Sequence, residues 1–210
     1  MDHLEGAAQV NQITVSTIGL DEVVARTGAL PRQADAALKR ALRKTVAWVA
    51  SQSRREIARD VGVAQSAIKQ RIASRLTKSA RPVGLIWFGL NRLDASLAGK
   101  ASQGAAGVKV RKYIFPGAFL ASIYGSAAKV WIRLRSRNYD PVVYPYTKRR
   151  SFTDVPAGLR SRFPVVKATI AIDTPSVRAI IADKAGMARE RMRTLLLQEL
   201  NYEINVKGGG

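Results

Sequence analysis

Two pairs of residues in this sequence have the spacing of a serine nucleophile and its base: Ser66 with Lys69, and Ser126 with Lys129. In Ser-x-x-Lys enzymes the serine attacks an acyl carbon, but they also carry Ser-Asp-Asn and Lys-Thr-Gly elements. Neither element occurs here, and a chain this rich in Ser and Lys produces the spacing by chance. The single histidine is His3, and no paired carboxylates at helical spacing stand out for acid–base work. There is no Cys, so disulfides, thiolate metal sites and cysteine nucleophiles are excluded. No P-loop or dinucleotide glycine fingerprint is present. These residues argue against an enzyme, and neither a cofactor nor a metal is expected.

Binding chemistry is better supplied. The 210 residues hold 35 Lys+Arg against 15 Asp+Glu, a net charge of +20. Residues 31–150 carry 25 of those cations and five of the acids, so this segment holds the whole excess. A field of that size favours a polyanion or an acidic protein surface. Basic residues interleave with aromatics in VRKYIF, KVWIRLRSRNYD and YPYTKRR, a composition that suits a nucleic-acid surface. Phe115 and Trp131 are expected in the core. The candidate basic surface is Lys39, Arg40, Arg43, Lys44, Lys69, Arg71, Arg133, Arg135, Arg137, Lys148, Arg149 and Arg150. DNA and acidic protein both remain open as its partner.

Residues 54–72, RREIARDVGVAQSAIKQRI, read like half of a helix-turn-helix. Ala58, Gly62 and Ile68 occupy the small, turn and core positions, and Lys69 and Arg71 are placed to face phosphate. The third core position of the second helix, however, falls on Arg71, one residue before Ile72. The upstream helix is also about thirty residues long, whereas the first helix of such a unit is short. The alternative is a long helix, a glycine break and a shorter helix packing back on it.

These residues must be held by an α+β fold: a long N-terminal helix and a C-terminal helix packed on a small antiparallel sheet. Ile13 to Ser16 alternates like a strand, and Leu20 to Thr27 resembles a short helix. Pro31 opens a long helix with an apolar stripe through Ala34, Leu38, Ala41, Leu42, Val46, Val49, Ser53 and Ile57, and Gly62 stops it. A second helix is expected over Ala64–Ile72. Strands are expected at 83–90, 108–115, 129–136 and 165–173. Small and Gly-rich residues predict a flexible loop over 94–107, and a Tyr- and Pro-rich loop spans 136–158. Pro175 opens a last helix with a stripe of Val177, Ile181, Ala185, Ala188, Met192, Leu195, Leu196, Leu200 and Ile204. The expected division is an N-terminal extension over 1–30, one domain over 31–205 and a loose tail over 206–210. No run of 18 apolar residues exists, and the acidic N-terminus lacks a signal pattern. A cytoplasmic protein, or one in a particle assembled there, is expected.

The turn in IFPGAFLASIYG, 114–125, is the sharpest local feature. Pro116 biases Phe115 towards extended backbone, and Gly117 can take the positive φ that other residues avoid. Ala118 permits close approach, and Phe119 and Leu120 then place two large apolar groups beside the turn. They either tuck under their own domain or present Phe119 to a neighbour as an aromatic anchor.

The order ALKRALRKTVAWVASQSRREIARDVGVAQSAIKQRI, then YIFPGAFLASIYGSAAKVWIRLRS, RFPVVKATIAI and ARERMRTLLLQEL, resembles the minor tail protein Z family of long-tailed bacteriophages and prophages. The resemblance spans residues 31–203, with Pro116-Gly117-Ala118-Phe119 its most specific piece. It implies a non-enzymatic virion protein completing the tail at its head-proximal end, where tail meets head. It implies a ring, hexameric to match a tail tube, touching tail or neck proteins such as the tail terminator, with the phage DNA in the channel and no membrane. Pro116 to Leu120 would then face the next subunit or the tail end. Residues 1–30 and 139–158 depart from the family pattern.

Overall fold

Pro31 supplies the first residue of the longest element, since a proline's fixed φ suits the first helical turn. In the computed structural model, which describes residues 11–17, 19–79, 81–123, 127–145 and 165–207, helix α2 runs Pro31–Val61. It stops at Gly62, which has φ +75°. Before it come strand β1 (Gln12–Val15) and the short helix α1 (Asp21–Ala25). After it come α3 (Gln65–Lys69), β2 (Ile72–Leu76) and β3 (Gly84–Phe88). The chain continues through β4 (Leu93–Asp94), a 3-10 turn (Ala95–Leu97), β5 (Ala101–Gly104), β6 (Gly107–Val110), β7 (Tyr113–Pro116), β8 (Phe119–Ala121) and β9 (Lys129–Arg133). The last elements are β10 (Val165–Lys167), β11 (Thr169–Ile170), helix α4 (Pro175–Asn201) and a π-helical turn over Tyr202–Val206. The fold is α+β, and the strands pair antiparallel throughout.

The chain forms two compact units where the sequence reading expects one domain over 31–205. The first holds residues 1–57, 68–90 and 175–210. Its sheet has the order β1-β3-β2. Residues assigned from sequence to an N-terminal extension thus supply an edge strand, with Ile13 opposite Ile86 and both buried. Helices α2 and α4 cover that face. Thr45 Oγ1 donates to Met192 Sδ at 3.5 Å between the helices. At Gly84 on β3 an added Cβ would lie 2.3 Å from Val46 Cγ2, so only glycine admits α2 this close to the sheet. Leu42, Val49, Ile57, Leu196 and Leu200 fill the space between these layers, each essentially buried. Truncating one such Leu to Ala costs about 2–5 kcal/mol.

The expected stripes hold with local shifts. Ala34 and Ala41 are buried as expected, but Leu38 is half-buried and Ala37, fully buried, takes its place on the α2 stripe. On α4, Ala185 is exposed and its neighbour Lys184 is buried. The reason is charge: Lys184 Nζ reaches Glu56 and Asp183, each at 2.9 Å. A paired ammonium can occupy a site that an apolar stripe reserves for alanine.

The second unit holds residues 58–67 and 91–174. Its strands form the sheets β5-β6-β7, β10-β9-β8 and β11-β4 among the described residues. The loop expected over 94–107 is mostly ordered secondary structure. Asp94 Oδ1 accepts from Ser96 N–H at 3.1 Å and starts the 3-10 turn, and β5 then pairs with β6 from Ala101↔Val110 to Gly104↔Gly107. The strand expected over 108–115 is instead a hairpin. It turns at Arg111, whose φ is +53°, and sets Val108 opposite Phe115 with both buried. The strand expected over 165–173 divides at Ala168, so that β10 pairs with β9 and β11 with β4. Of the 136–158 loop, residues 136–145 are described. They carry Tyr144 into the core, with its ring 6.2 Å from Phe115 and 6.3 Å from Tyr139.

The helix expected over Ala64–Ile72 ends at Lys69, and Ile72 begins β2. Pairing decides this. Gly89 N–H donates to Arg71 O at 2.7 Å, which commits the chain from Arg71 onward to β3. Ala58 and Ile68, the small and core positions of the helix-turn-helix pattern, are buried as that pattern requires. The helix after the glycine, however, spans five residues and leaves Arg71 beyond its end.

Candidate partner interface

The Pro-Gly-Ala-Phe segment makes the expected turn in the second unit. Pro116 closes β7, Gly117 has φ +69°, and Phe119 opens β8. Gly117 N–H donates to Ala106 O at 3.2 Å, and Ala118 N–H to Phe115 O at 3.2 Å, closing the turn. A Cβ at Gly117 would meet Asn138 Nδ2 at 2.5 Å, a second reason for glycine beside the positive φ. Pro116 and Gly117 are exposed, Ala118 is buried, and Phe119 and Leu120 are half-buried. Leu120 N–H donates to Gln103 Oε1 at 2.8 Å.

Register then brings this turn to the arginines. Phe119 lies opposite Trp131 on β9, whose indole N–H donates to Ala121 O at 3.0 Å. Trp131 and Phe115 are buried, as expected from sequence. Two residues on from Trp131, Arg133 is exposed and holds its guanidinium 5.8 Å from the Phe119 ring centroid. A cation over an aromatic face is attracted by the ring quadrupole. Gly117, Phe119, Arg133, Arg135 and Ser136 line an open cleft of about 600 Å³. Two residue sets proposed separately from sequence, 116–120 and the 133–137 arginines, thus share one site. Arg137 is exposed beside it in sequence but does not line the cleft. Among the described residues the cleft lining offers guanidinium donors, an aromatic and a hydroxyl, and no carboxylate. Such a surface is suited to phosphate or carboxylate groups.

Lys39, Arg40, Arg43, Lys44, Lys69 and Arg71 fall in the first unit and are less free than their number suggests. Lys39 pairs with Asp35 at 2.7 Å one turn away. Arg40 bridges Glu199 and Glu203, each at 2.5 Å, and stacks over Tyr202 at 5.4 Å. Lys44 also pairs with Glu199. Burial alone would raise the Glu199 carboxyl, but hydrogen bonds from Lys44 and Arg40 hold it below the ordinary carboxylate value. The same Glu199 bond, ahead of Glu203, raises Arg40 against its burial. Arg71 is half-buried, and burial lowers its guanidinium from the usual value. Arg43 and Lys69 are exposed. Lys148, Arg149 and Arg150 lie outside the described residues.

Sequence reasoning did not anticipate the acidic partners of Arg40 and Lys44. The available signal was Glu199 and Glu203, four residues apart on the last helix and adjacent to apolar stripe positions. Of the catalytic spacings, Ser66 and Lys69 stand exposed on and at the end of α3, and Ser126 lies outside the described residues. Among the described residues no group of three or more His, Cys, Asp or Glu is placed to hold a metal ion, and no helix is long and apolar enough to cross a membrane. Compared with protein-family models, with curated proteins and with solved structures, the chain matches none.

Proposed function

We propose that this chain is a structural virion protein of a long-tailed phage, not an enzyme. It completes the tail at the head-proximal end as a ring subunit, six-fold to match the tube, after assembly in the host cytoplasm. The observation that carries this reading is the cleft in which the Pro116–Phe119 turn meets Arg133 and Arg135. The first of these segments is the most specific piece of the likeness to the minor tail protein Z family, and here it shares one surface with the Trp-Arg segment that follows it in that pattern. Heterologous contacts around an axis close into rings, and a half-buried aromatic beside a turn is a suitable anchor for them. The partners are other copies of the chain and tail or neck proteins such as the tail terminator. The phage DNA is a further partner, since a basic channel surface contacts phosphate without reading sequence.

The rival is a sequence-tolerant DNA-binding protein acting alone in the cell through residues 54–72. It draws less support, because a five-residue α3 followed directly by a strand is shorter than a recognition helix. Tagging the protein and purifying intact particles separates the two. Stoichiometric recovery with the tail is expected; absence from particles, with retention on cellular DNA, overturns the tail reading.

A further inference from the structure

The exposed edge of the first unit's sheet is a second surface. Among the described residues, β2 pairs only with β3, in register from Ile72↔Phe88 to Leu76↔Gly84. Antiparallel neighbours exchange hydrogen bonds at every second residue. Gly89 N–H donates to Arg71 O at 2.7 Å, and Thr77 N–H to Val83 O at 2.9 Å. Arg71, Ala73, Arg75 and Thr77 are therefore the residues that bond across to β3. The backbone N–H and C=O groups of Ile72, Ser74 and Leu76 point the other way, along the free edge.

Side chains on this edge alternate as well. Leu76 faces α2: a Cβ on Gly84, its partner, would lie 3.6 Å from Leu76 Cδ2 and 2.3 Å from Val46 Cγ2. Ser74 shares that face by the two-residue period, yet it is exposed, because α2 does not cover the edge. A groove of about 270 Å³ remains there, lined by Arg43, Val46 and Ala47 from α2 and by Ser74, Arg75 and Leu76 from β2. Ala73 and Arg75 lie on the opposite face, where Trp87 across from Ala73 is 45% exposed.

We infer that this edge accepts an extended segment of a partner protein as a fourth strand, one that alternates apolar and acidic residues. The apolar side chains would enter the groove against Val46, Ala47 and Leu76. The acidic ones would stand on the other face beside Arg75, with Arg43 at the groove's rim. Strand addition supplies affinity through main-chain bonds and specificity through alternate side chains. Charge argues for a partner over a second copy, since edge-to-edge pairing of two copies sets Arg43 and Arg75 against their like. It also argues for a polypeptide over DNA. Phosphates only accept hydrogen bonds, and half of the groups on this edge are carbonyls that need donors. This inference does not rest on the tail reading.

The test uses the full chain and a capped peptide of alternating Val and Glu, with a control in which alternate Val residues become Pro at the same charge. Amide exchange by NMR should show Ile72, Ser74 and Leu76 slowing in the complex while Ala73 and Arg75, already bonded, stay slow throughout. The Pro peptide should bind about tenfold more weakly, the effect of one lost backbone hydrogen bond, and Arg75→Glu should weaken the Val-Glu peptide similarly. Ser74→Pro removes one outward N–H without breaking the β2–β3 ladder, and should likewise weaken binding about tenfold with the melting temperature kept. If Ser74→Pro fails to fold, the amide pattern and Arg75→Glu decide. Equal binding of the two peptides, or no slowing at those three amides, overturns the inference. Slowing with rising protein concentration and no peptide also overturns it, in favour of self-pairing.

Discussion

Arg40 and Glu199 are 159 residues apart in the chain, and their side chains meet at 2.5 Å between the two long helices. Glu199 is almost entirely buried and also receives Lys44, so two cations converge on one carboxylate. The pair ties α2 to α4 at one register, because a shift of either helix by a residue would strand the carboxylate in apolar surroundings.

Arg40→Ala should therefore destabilise the protein by about 1.5–3 kcal/mol, the range for hydrogen bonds to charged groups, since Lys44 still meets Glu199. The sign with pH follows from the depressed Glu199 carboxyl. A folded-state value below the unfolded one means the stabilisation is full above the unfolded value and is lost as pH falls through the folded one. Urea midpoints measured from neutral pH downward should fall, and Glu199→Gln should flatten that fall. An unchanged slope in Glu199→Gln would assign the acid sensitivity to other groups.

Gly84→Ala should cost about 1–3 kcal/mol, since its methyl would overlap Val46. Val46→Ala should restore part of the loss in the double variant. A double-mutant cycle with no coupling would mean that α2 moves away from β3 to accept the methyl.

Phe119→Ala distinguishes tucking from anchoring. Full burial would make the substitution cost about 3–5 kcal/mol. Phe119 is half-buried, with Arg133 over its face, so we expect a smaller loss of monomer stability together with failed ring formation or tail joining. Intact assembly with a large drop in melting temperature would return Phe119 to its own core.

The isolated protein should bind duplex DNA without sequence preference, with affinity falling steeply as salt rises. Arg133→Glu and Arg135→Glu should each lower the salt slope by about one unit if each contacts a phosphate. Binding confined to one sequence at physiological salt would favour the helix-turn-helix reading instead.

Some of this molecule follows from local chemistry alone. Pro31 and Gly62 bound α2 because one residue's fixed φ suits a helix start and the other's freedom suits a stop. Burial of Phe115 and Trp131 follows from large apolar side chains on strands, and the turn at Gly117 from a dihedral few residues share. Other features were settled only between segments distant in sequence. Ile72 continues a helical pattern locally, yet it is a strand residue because Arg71 and its neighbours find β3. Arg111 and Lys112 carry no turn signature, and the hairpin forms there because it sets Val108 against Phe115 in the core. Lys184 displaces Ala185 from the buried stripe because Glu56 and Asp183 wait for it. The meeting of Phe119 with Arg133, and the open edge of β2 beside Val46, are likewise consequences of register. A periodicity tells a side chain which face it is on; only the tertiary fold decides what stands opposite, and pairing energies between strands and between charges outweigh the fractions of a kcal/mol in local propensity.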